Sequence, residues 1–118
     1  MASEGLHESR KALSRETRDR HRALVSLQEE LEAIDWYCQR AEACHDAQLK
    51  AILLHNMHEE MEHSAMLIEW LRRKDGDFER QLRARVFSDA AVIAEDEAPA
   101  GRTATADSRT PTIGSLKE

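Results

Sequence analysis

The sequence is poor in the residues that interrupt helices. It contains four glycines and two prolines in 118 residues, and neither type occurs between Leu6 and Gly76. Glycine and proline are the least favourable residues inside a helix, so this gap leaves room for long helices. The same stretch is rich in Glu, Leu, Ala, Arg and His. We therefore predict that residues 14–74 are largely helical.

Long apolar runs and an excess of positive charge are also missing. A membrane-spanning helix needs about 20 apolar residues, and the longest runs here are far shorter, so no membrane segment is predicted. The opening residues, MASEGLHESRK, lack the apolar stretch of a signal peptide. With 17 Lys and Arg against 23 Asp and Glu, the net charge is −6, which disfavours nucleic-acid binding. We expect a cytoplasmic protein.

Cysteine is scarce, with Cys38 and Cys44 as its two occurrences. On one continuous helix, residues six apart are separated by about 9 Å along the axis, which is too far for a disulfide. We therefore predict two reduced thiols. A cysteine-based zinc site is also unsupported, because the characteristic spacing and the further ligands are lacking.

Apolar residues recur at alternating steps of three and four, as on one face of a helix. The pattern breaks phase over residues 43–48, where Asp46 is a candidate N-cap, and Ser14 is a candidate N-cap for the start. We predict two antiparallel helices joined by a short turn, and a third, shorter helix over about residues 78–94. The first apolar row is Leu24, Leu27, Leu31, Ile34, Cys38 and Ala41, and the second is Leu53, Met57, Glu60, Ser64, Leu67 and Leu71.

The composition changes after residue 94, which divides the chain into four predicted parts. These are a flexible N-terminus over residues 1–13, a helical domain over 14–94, a flexible linker over 95–111 and a C-terminal peptide over 112–118. Ile113 and Leu116 are the only large apolar residues of the last two dozen. We interpret the peptide as a docking segment, although a frayed terminus is the ordinary alternative.

A pair of helices of this length does not close a hydrophobic core, because each apolar stripe is covered on one side only. Domains with so few elements usually need a partner chain, a metal ion or both. Packing alone therefore predicts self-association.

Three polar residues stand on or beside the apolar rows where hydrophobic residues are expected. Glu30 projects with the core side of the first helix, Glu60 occupies a position in the second row, and His63 follows one turn later. A buried carboxylate is costly unless it is paired or bound to a metal. Any one of them alone can be read as part of an exposed polar face. Taken together, the three predict a bound cation.

The spacing suggests which kind of site this is. Ferritin-like di-iron proteins use one Glu from each of two helices and a Glu-x-x-His pair from each of two others. This chain supplies one lone Glu, Glu30, and one such pair, Glu60 with His63. Two copies related by a two-fold axis would complete a four-helix bundle and its site. Oxygen-rich ligand sets with one imidazole per metal suit iron or manganese better than zinc.

Further residues near these ligands have two readings each. Glu29 and Glu32 either line an acidic approach to the site or form an ordinary charged helix surface. Trp36 and Tyr37 are most simply core or interface aromatics. Alternatively, the Tyr37 hydroxyl lies near the metal, seven residues after Glu30.

Three segments together resemble the encapsulated ferritins, which are short cargo proteins of bacterial encapsulin nanocompartments. They are SLQEELEAIDWYCQR, ILLHNMHEEMEHSAMLIEWLRR and the terminal TIGSLKE. The resemblance implies an all-α half-ferritin: an antiparallel helical hairpin plus a short C-terminal helix, which dimerises around a ferroxidase centre and assembles into a ring-shaped decamer of five dimers.

The resemblance also implies roles for individual residues. Glu30, Glu60 and His63 correspond to the iron ligands, and Tyr37 to the tyrosine close to the centre. Glu29, Glu32 and Trp36 correspond to the region through which metal reaches it. The segment Ile113, Gly114, Ser115 and Leu116 corresponds to the peptide that docks cargo on the encapsulin shell.

The hypothesis is therefore a ferroxidase that oxidises Fe²⁺ to Fe³⁺ with dioxygen at a di-iron centre between two subunits and delivers iron for mineral storage inside an encapsulin nanocompartment. The alternative of another class is a helical adaptor without redox activity, whose glutamates set the register of a coiled coil. A third candidate is a ferritin-like enzyme that oxidises another substrate. The absence of a cysteine-ligated iron motif disfavours a peroxidase of that kind.

Overall fold

The computed structural model describes residues 5–93, which form three α-helices and one short 3₁₀ helix. The 3₁₀ helix spans Arg10–Ala12, and the α-helices are α1, Arg15–Ala43, α2, Ala47–Lys74, and α3, Gly76–Arg85. No strand occurs within the described range. The all-helical prediction is confirmed.

The start of α1 is fixed by side-chain hydrogen bonds. Ser14 is its N-cap, as predicted, and its Oγ accepts a hydrogen bond from the Thr17 N–H at 3.1 Å. One turn into the helix, Arg18 Nη1 donates to the main-chain oxygens of Leu13 and Arg10, at 2.6 and 3.2 Å. Arg18 thereby holds the preceding segment against the first turn of α1.

A three-residue turn reverses the chain between α1 and α2. Cys44 ends α1 in an extended conformation, and the Asp46 carboxylate caps α2 by accepting from the Leu49 N–H at 2.9 Å. The predicted turn and its cap are therefore confirmed. Cys38 and Cys44 are both free thiols.

The two long helices pack antiparallel through small side chains. Nε of Arg20 is 3.7 Å from Oδ2 of Asp75, an ion pair near the open end of the hairpin. The described residues that become fully buried are Ala23 and Ala41 of α1 with Ser64 and Leu71 of α2. Small side chains let the helix axes approach closely, as ridges-into-grooves packing requires.

The predicted apolar row of α2 is confirmed, whereas the row of α1 is partly wrong. Leu24 and Leu31 are 39% and 51% exposed, and Cys38 is exposed as well. Apolar residues of α1 lie on two faces, one toward α2 and one outward, and the sequence alone does not show which apolar residue belongs to which face. The row of buried and half-buried residues is instead Ala23, Leu27, Glu30, Ile34, Tyr37 and Ala41.

The chain divides into two units at Asp75, and α3 belongs to the second. The prediction of a short third helix is correct in type and wrong in extent, because α3 begins at Gly76 and ends at Arg85. Phe87 adopts φ of 58°, a left-handed conformation that an α-helix does not accommodate. Residues 86–93 are consequently not helical.

None of the helices within residues 5–93 combines the length and the apolar character that a membrane crossing requires. The predicted linker over residues 95–111 and the predicted docking peptide over 112–118 lie outside the described residues, as do residues 1–4 and 94.

Loss of the α2 cap should destabilise the hairpin. We expect Asp46→Ala to lower the free energy of unfolding by about 1 kcal/mol, the usual cost of removing an N-cap side chain. Urea unfolding at one fixed protein concentration measures this difference. Asp35→Ala removes an exposed carboxylate from α1 and is the matched control. Equal unfolding midpoints for the two variants would contradict the capping role.

Candidate metal centre

One side chain of α1 and two of α2 converge at the middle of the hairpin. Each of Glu30, Glu60 and His63 offers one ligand atom, and these atoms lie within 4.8 Å of one another. His63 Nδ1 is 3.1 Å from Glu60 Oε1 and 3.5 Å from Glu30 Oε1. All three side chains are half-buried. Within the described range, this is the only group of three acidic, histidine or cysteine side chains close enough to share a cation.

Local helix geometry and antiparallel register together produce this arrangement. Residues three apart on a helix are neighbours, so α2 alone brings Glu60 and His63 together. Glu30 belongs to the row of α1 that faces α2, and it lies near the midpoint of its helix, as the other two do. A hairpin with equal arms therefore places the three side chains at one level.

A hydrogen bond links the carboxyl groups of Glu30 and Glu60. It is the largest influence on the pKa of both groups, raising that of Glu30 and lowering that of Glu60. Partial burial adds to the rise at Glu30 because it disfavours the charged form. Glu30 is therefore the more readily protonated of the two, and Glu60 is the more readily ionised.

The imidazole of His63 serves as the counter-ion of the carboxylates. Its hydrogen bond with Glu60 raises the pKa of His63, and the negative charges of Glu30 and Glu60 add to that rise against an opposing effect of burial. His63 is therefore protonated to higher pH than an ordinary histidine.

The donor set fits a metal such as iron or manganese. Two carboxylates and one imidazole are the oxygen-rich combination that these metals accept. Three donors from one chain leave half of the six coordination positions of an octahedral ion open. The set equals half of the ligands of a ferritin-like di-iron site, with Glu30 as the lone glutamate and Glu60 with His63 as the Glu-x-x-His pair.

The other residues predicted near the site lie outside this group of three. Glu29 and Trp36 are exposed, and Glu32 and Tyr37 are half-buried. Of these four, Tyr37 lies on the row that faces α2, together with Glu30, and the other three do not.

Arg40 is a neighbour of this aromatic pair that the sequence analysis missed. Its guanidinium carbon lies 5.5 Å from the centre of the Tyr37 ring and 5.8 Å from that of Trp36. Cation–π contacts at such distances are attractive. Spacings of three and four residues bring helix side chains together, so the sequence carried a signal for this contact.

Two exposed apolar residues lie on the stripe of α2 that carries His63, with the exposed polar residues His55 and Glu59 between the first of them and His63. Ile52 precedes His63 by three helical turns, and Met66 follows it by three residues, so the three share one stripe of α2. Ile52 and Met66 are 55% and 57% exposed. Exposed large apolar residues around a polar cluster mark a surface suited to a protein partner.

Comparison with known proteins identifies relatives of most of the chain. A model of the EncFtn-like family matches residues 5–89. The chain is 48% identical over 98 residues to a protein of Rhodospirillum rubrum named encapsulated ferritin-like protein, covering 83% of this chain and 70% of that protein. It is 44% identical over 95 residues to a protein of Thermotoga maritima named ferritin-like protein, covering 80% of this chain and 83% of that one.

A solved structure supports the same relationship. The crystal structure of protein ne0167 from Nitrosomonas europaea has a TM-score of 0.72 and is 52% identical in sequence. The match covers 76% of this chain and 99% of the other.

In the metal-free protein, the ion pairing of His63 should stabilise the fold mainly at mildly acidic pH. The folded pKa of His63 is raised, so its stabilisation is fully present below the unfolded pKa of about 6.5 and is lost as the pH rises through the folded pKa. Thermal unfolding in chelator, for wild type and His63→Gln, measures the effect. The difference between their midpoints should shrink as the pH rises from about 6 to about 9.

His58→Gln, which alters an exposed histidine of the same helix, controls for the loss of an imidazole. A wild-type advantage over His63→Gln that stays constant with pH would contradict the ion pairing.

Proposed function

The chain belongs to the EncFtn-like family, and we propose that it is a ferroxidase that oxidises Fe²⁺ to Fe³⁺ with dioxygen. The observation that carries the proposal is the half-site formed by Glu30, Glu60 and His63. The names of its relatives in Rhodospirillum rubrum and Thermotoga maritima, both ferritin-like, support an iron-related role.

A second copy of the chain completes the proposed site. Two chains related by a two-fold axis supply four carboxylates and two imidazoles, the full ligand set of a ferritin-like di-iron centre. The same pairing turns two helical hairpins into a four-helix bundle. The exposed apolar residues Ile52 and Met66 on the His63 stripe support this arrangement, because a second copy seated there covers them and brings its own ligands to the first chain's site.

Fe²⁺ is the substrate of the proposed reaction, and its binding replaces protons. Metal ligands must be deprotonated, so any proton held by Glu30, Glu60 or His63 leaves when Fe²⁺ binds. Two Fe²⁺ ions give one electron each to dioxygen. The carboxylates of both chains offset the higher charge of the product, which favours oxidation through electrostatic stabilisation.

A negative surface favours the approach of the substrate. Residues 24–71 contain ten Asp and Glu and two Lys and Arg, so the middle of the hairpin and its turn attract cations. We assign Glu29 and Glu32 to the path of Fe²⁺ toward the site, with Trp36 beside it. Tyr37 belongs at the border of the centre, where its hydroxyl can donate a hydrogen bond or an electron.

A second apolar stripe supports assembly beyond the dimer. Leu31 follows Glu30 by one residue and Met61 follows Glu60 by one residue, a rotation of about 100° in each helix. Because the helices are antiparallel, equal rotations turn both side chains to the same side of the hairpin, and His63 projects toward the other side. Leu24, Leu31 and Met61 are exposed. Two separate self-association surfaces are what a ring of dimers, such as the proposed decamer, requires.

We propose that the chain is the cargo of an encapsulin shell, within which the oxidised iron is stored as mineral. The relative from Rhodospirillum rubrum is named an encapsulated protein, and the sequence ends in a short peptide with Ile113 and Leu116 as its apolar residues. The proposed contact is made by Ile113, Gly114, Ser115 and Leu116.

Substitution of either α2 ligand should abolish catalysed iron oxidation. We expect Glu60→Ala and His63→Ala to oxidise Fe²⁺ no faster than buffer, because each leaves the paired site two ligands short. The measurement is anaerobic addition of Fe²⁺ followed by air, with the absorbance of Fe³⁺ and the mass of the assembly recorded together. Glu42→Ala removes an exposed glutamate of α1 and should keep full activity.

Full activity in both ligand variants would refute the assignment of the site. Wild-type protein that oxidises Fe²⁺ no faster than buffer, with an unchanged mass, would favour the helical adaptor. An adaptor should also dimerise equally well in chelator and in Fe²⁺.

Removal of the C-terminal peptide should separate packaging from catalysis. We expect a chain that ends at Pro111 to oxidise iron at the wild-type rate and to be absent from purified encapsulin shells after co-expression. The reciprocal experiment fuses residues 112–118 to an unrelated soluble protein, which should then be packaged. Packaging of the shortened chain at the wild-type level would contradict the proposed contact.

A further inference from the structure

Ser64 is the one buried polar residue among residues 5–93, and it directly follows His63. It is 5% exposed, and its Oγ donates a hydrogen bond to the main-chain oxygen of Glu60 at 3.0 Å. In a regular α-helix that oxygen also accepts from the main-chain N–H four residues later, which is the N–H of Ser64 itself. One carbonyl therefore accepts two hydrogen bonds from one residue.

This pair of hydrogen bonds acts on the turn that carries both α2 ligands. A serine hydroxyl that bonds to the carbonyl four residues earlier competes with the helix bond and often bends a helix locally. The turn that this bond spans runs from Glu60, whose carbonyl accepts, to Ser64, whose hydroxyl donates. His63 lies inside this turn, so the geometry of the turn determines how its imidazole is aimed relative to the Glu60 carboxylate.

Packing alone gives no reason for a hydroxyl at this position. Alanine occupies nearly the same space, favours the helix more than serine does and buries no polar group. The other small residues of the helix contact, Ala23 and Ala41, are alanines. Among the fully buried residues of the described range, the one hydroxyl lies in the turn that carries Glu60 and His63.

We propose that Ser64 is a positioning residue of the metal centre, whose hydroxyl shapes the Glu60–Ser64 turn so that Glu60 and His63 converge with Glu30 on one cation. The inference rests on the proposed function, since it assigns a supporting residue to the same site. Its effect is transmitted through the Glu60 carbonyl, and Ser64 itself does not bind the metal.

The test uses Co²⁺, whose visible absorption depends on its coordination geometry. For Ser64→Ala we expect the dissociation constant for Co²⁺ to rise about ten-fold, as is typical when a group that orients a ligand is removed, together with a changed spectrum. The unfolding midpoint in chelator should be unchanged or higher. Ser26→Ala removes a half-buried hydroxyl from α1 and should bind Co²⁺ as the wild type does.

A size-matched pair separates the hydroxyl from the volume of the side chain. In helices, threonine can bond to the carbonyl four residues earlier, and valine has the same shape without the donor. We expect Ser64→Thr to bind Co²⁺ more tightly than Ser64→Val and to keep the wild-type spectrum. Equal binding by the two, or wild-type binding by Ser64→Ala, would overturn the inference.

A readout without metal distinguishes failure of this inference from failure of the proposed function. In a crystal structure of metal-free Ser64→Ala protein, the 3.5 Å distance between His63 Nδ1 and Glu30 Oε1 should lengthen relative to wild type. If wild-type protein binds neither Co²⁺ nor Fe²⁺, the proposed metal centre is wrong, and this distance still decides whether Ser64 positions the turn. An unchanged distance would overturn the positioning role.

Discussion

Two carboxyl groups held in the contact between two helices impose the main constraint on this protein. Glu30 and Glu60 meet beside His63, and the hydrogen bond between the two carboxyl groups raises the pKa of Glu30 and lowers the pKa of Glu60. The rest of the hairpin makes this meeting possible. Uninterrupted helices place the three side chains at mid-length, a three-residue turn sets their register, and small residues on the facing rows let the helices approach closely.

Much of this architecture is readable from sequence because its determinants are local. The caps at Ser14 and Asp46, the absence of glycine and proline between them, and the spacing of Glu60 and His63 each act within a few residues. The rotation of α1 was harder to predict, since Leu24 and Leu31 are as apolar as core residues and yet face outward. The end of α3 depends on the left-handed backbone conformation of Phe87, which the residue type does not predict. Ser64 belongs to the predicted apolar row of α2, but its hydrogen bond to the main-chain oxygen of Glu60 is apparent only from the structure.

The exposed leucines for which the prediction of α1 was wrong also show that the single chain leaves its hydrophobic core incomplete. A domain normally buries its large aliphatic side chains, whereas in this hairpin Leu71 is the one large side chain that is fully buried within the described range. The exposed leucines therefore follow from the sequence itself, because the chain has more hydrophobic surface than its own fold can bury. Membership of the EncFtn-like family is consistent with a unit in which further burial comes from other chains.

On the proposed function, a chain that carries half of a ligand set makes its chemistry depend on its own concentration. Complete sites then form by association, so their number at low concentration grows with the square of the amount of protein. A solitary chain offers three of the six proposed donors. Confinement raises the local concentration and with it the fraction of complete sites. The proposed half-site thus sets a threshold, so that oxidation is expected where the chains are gathered.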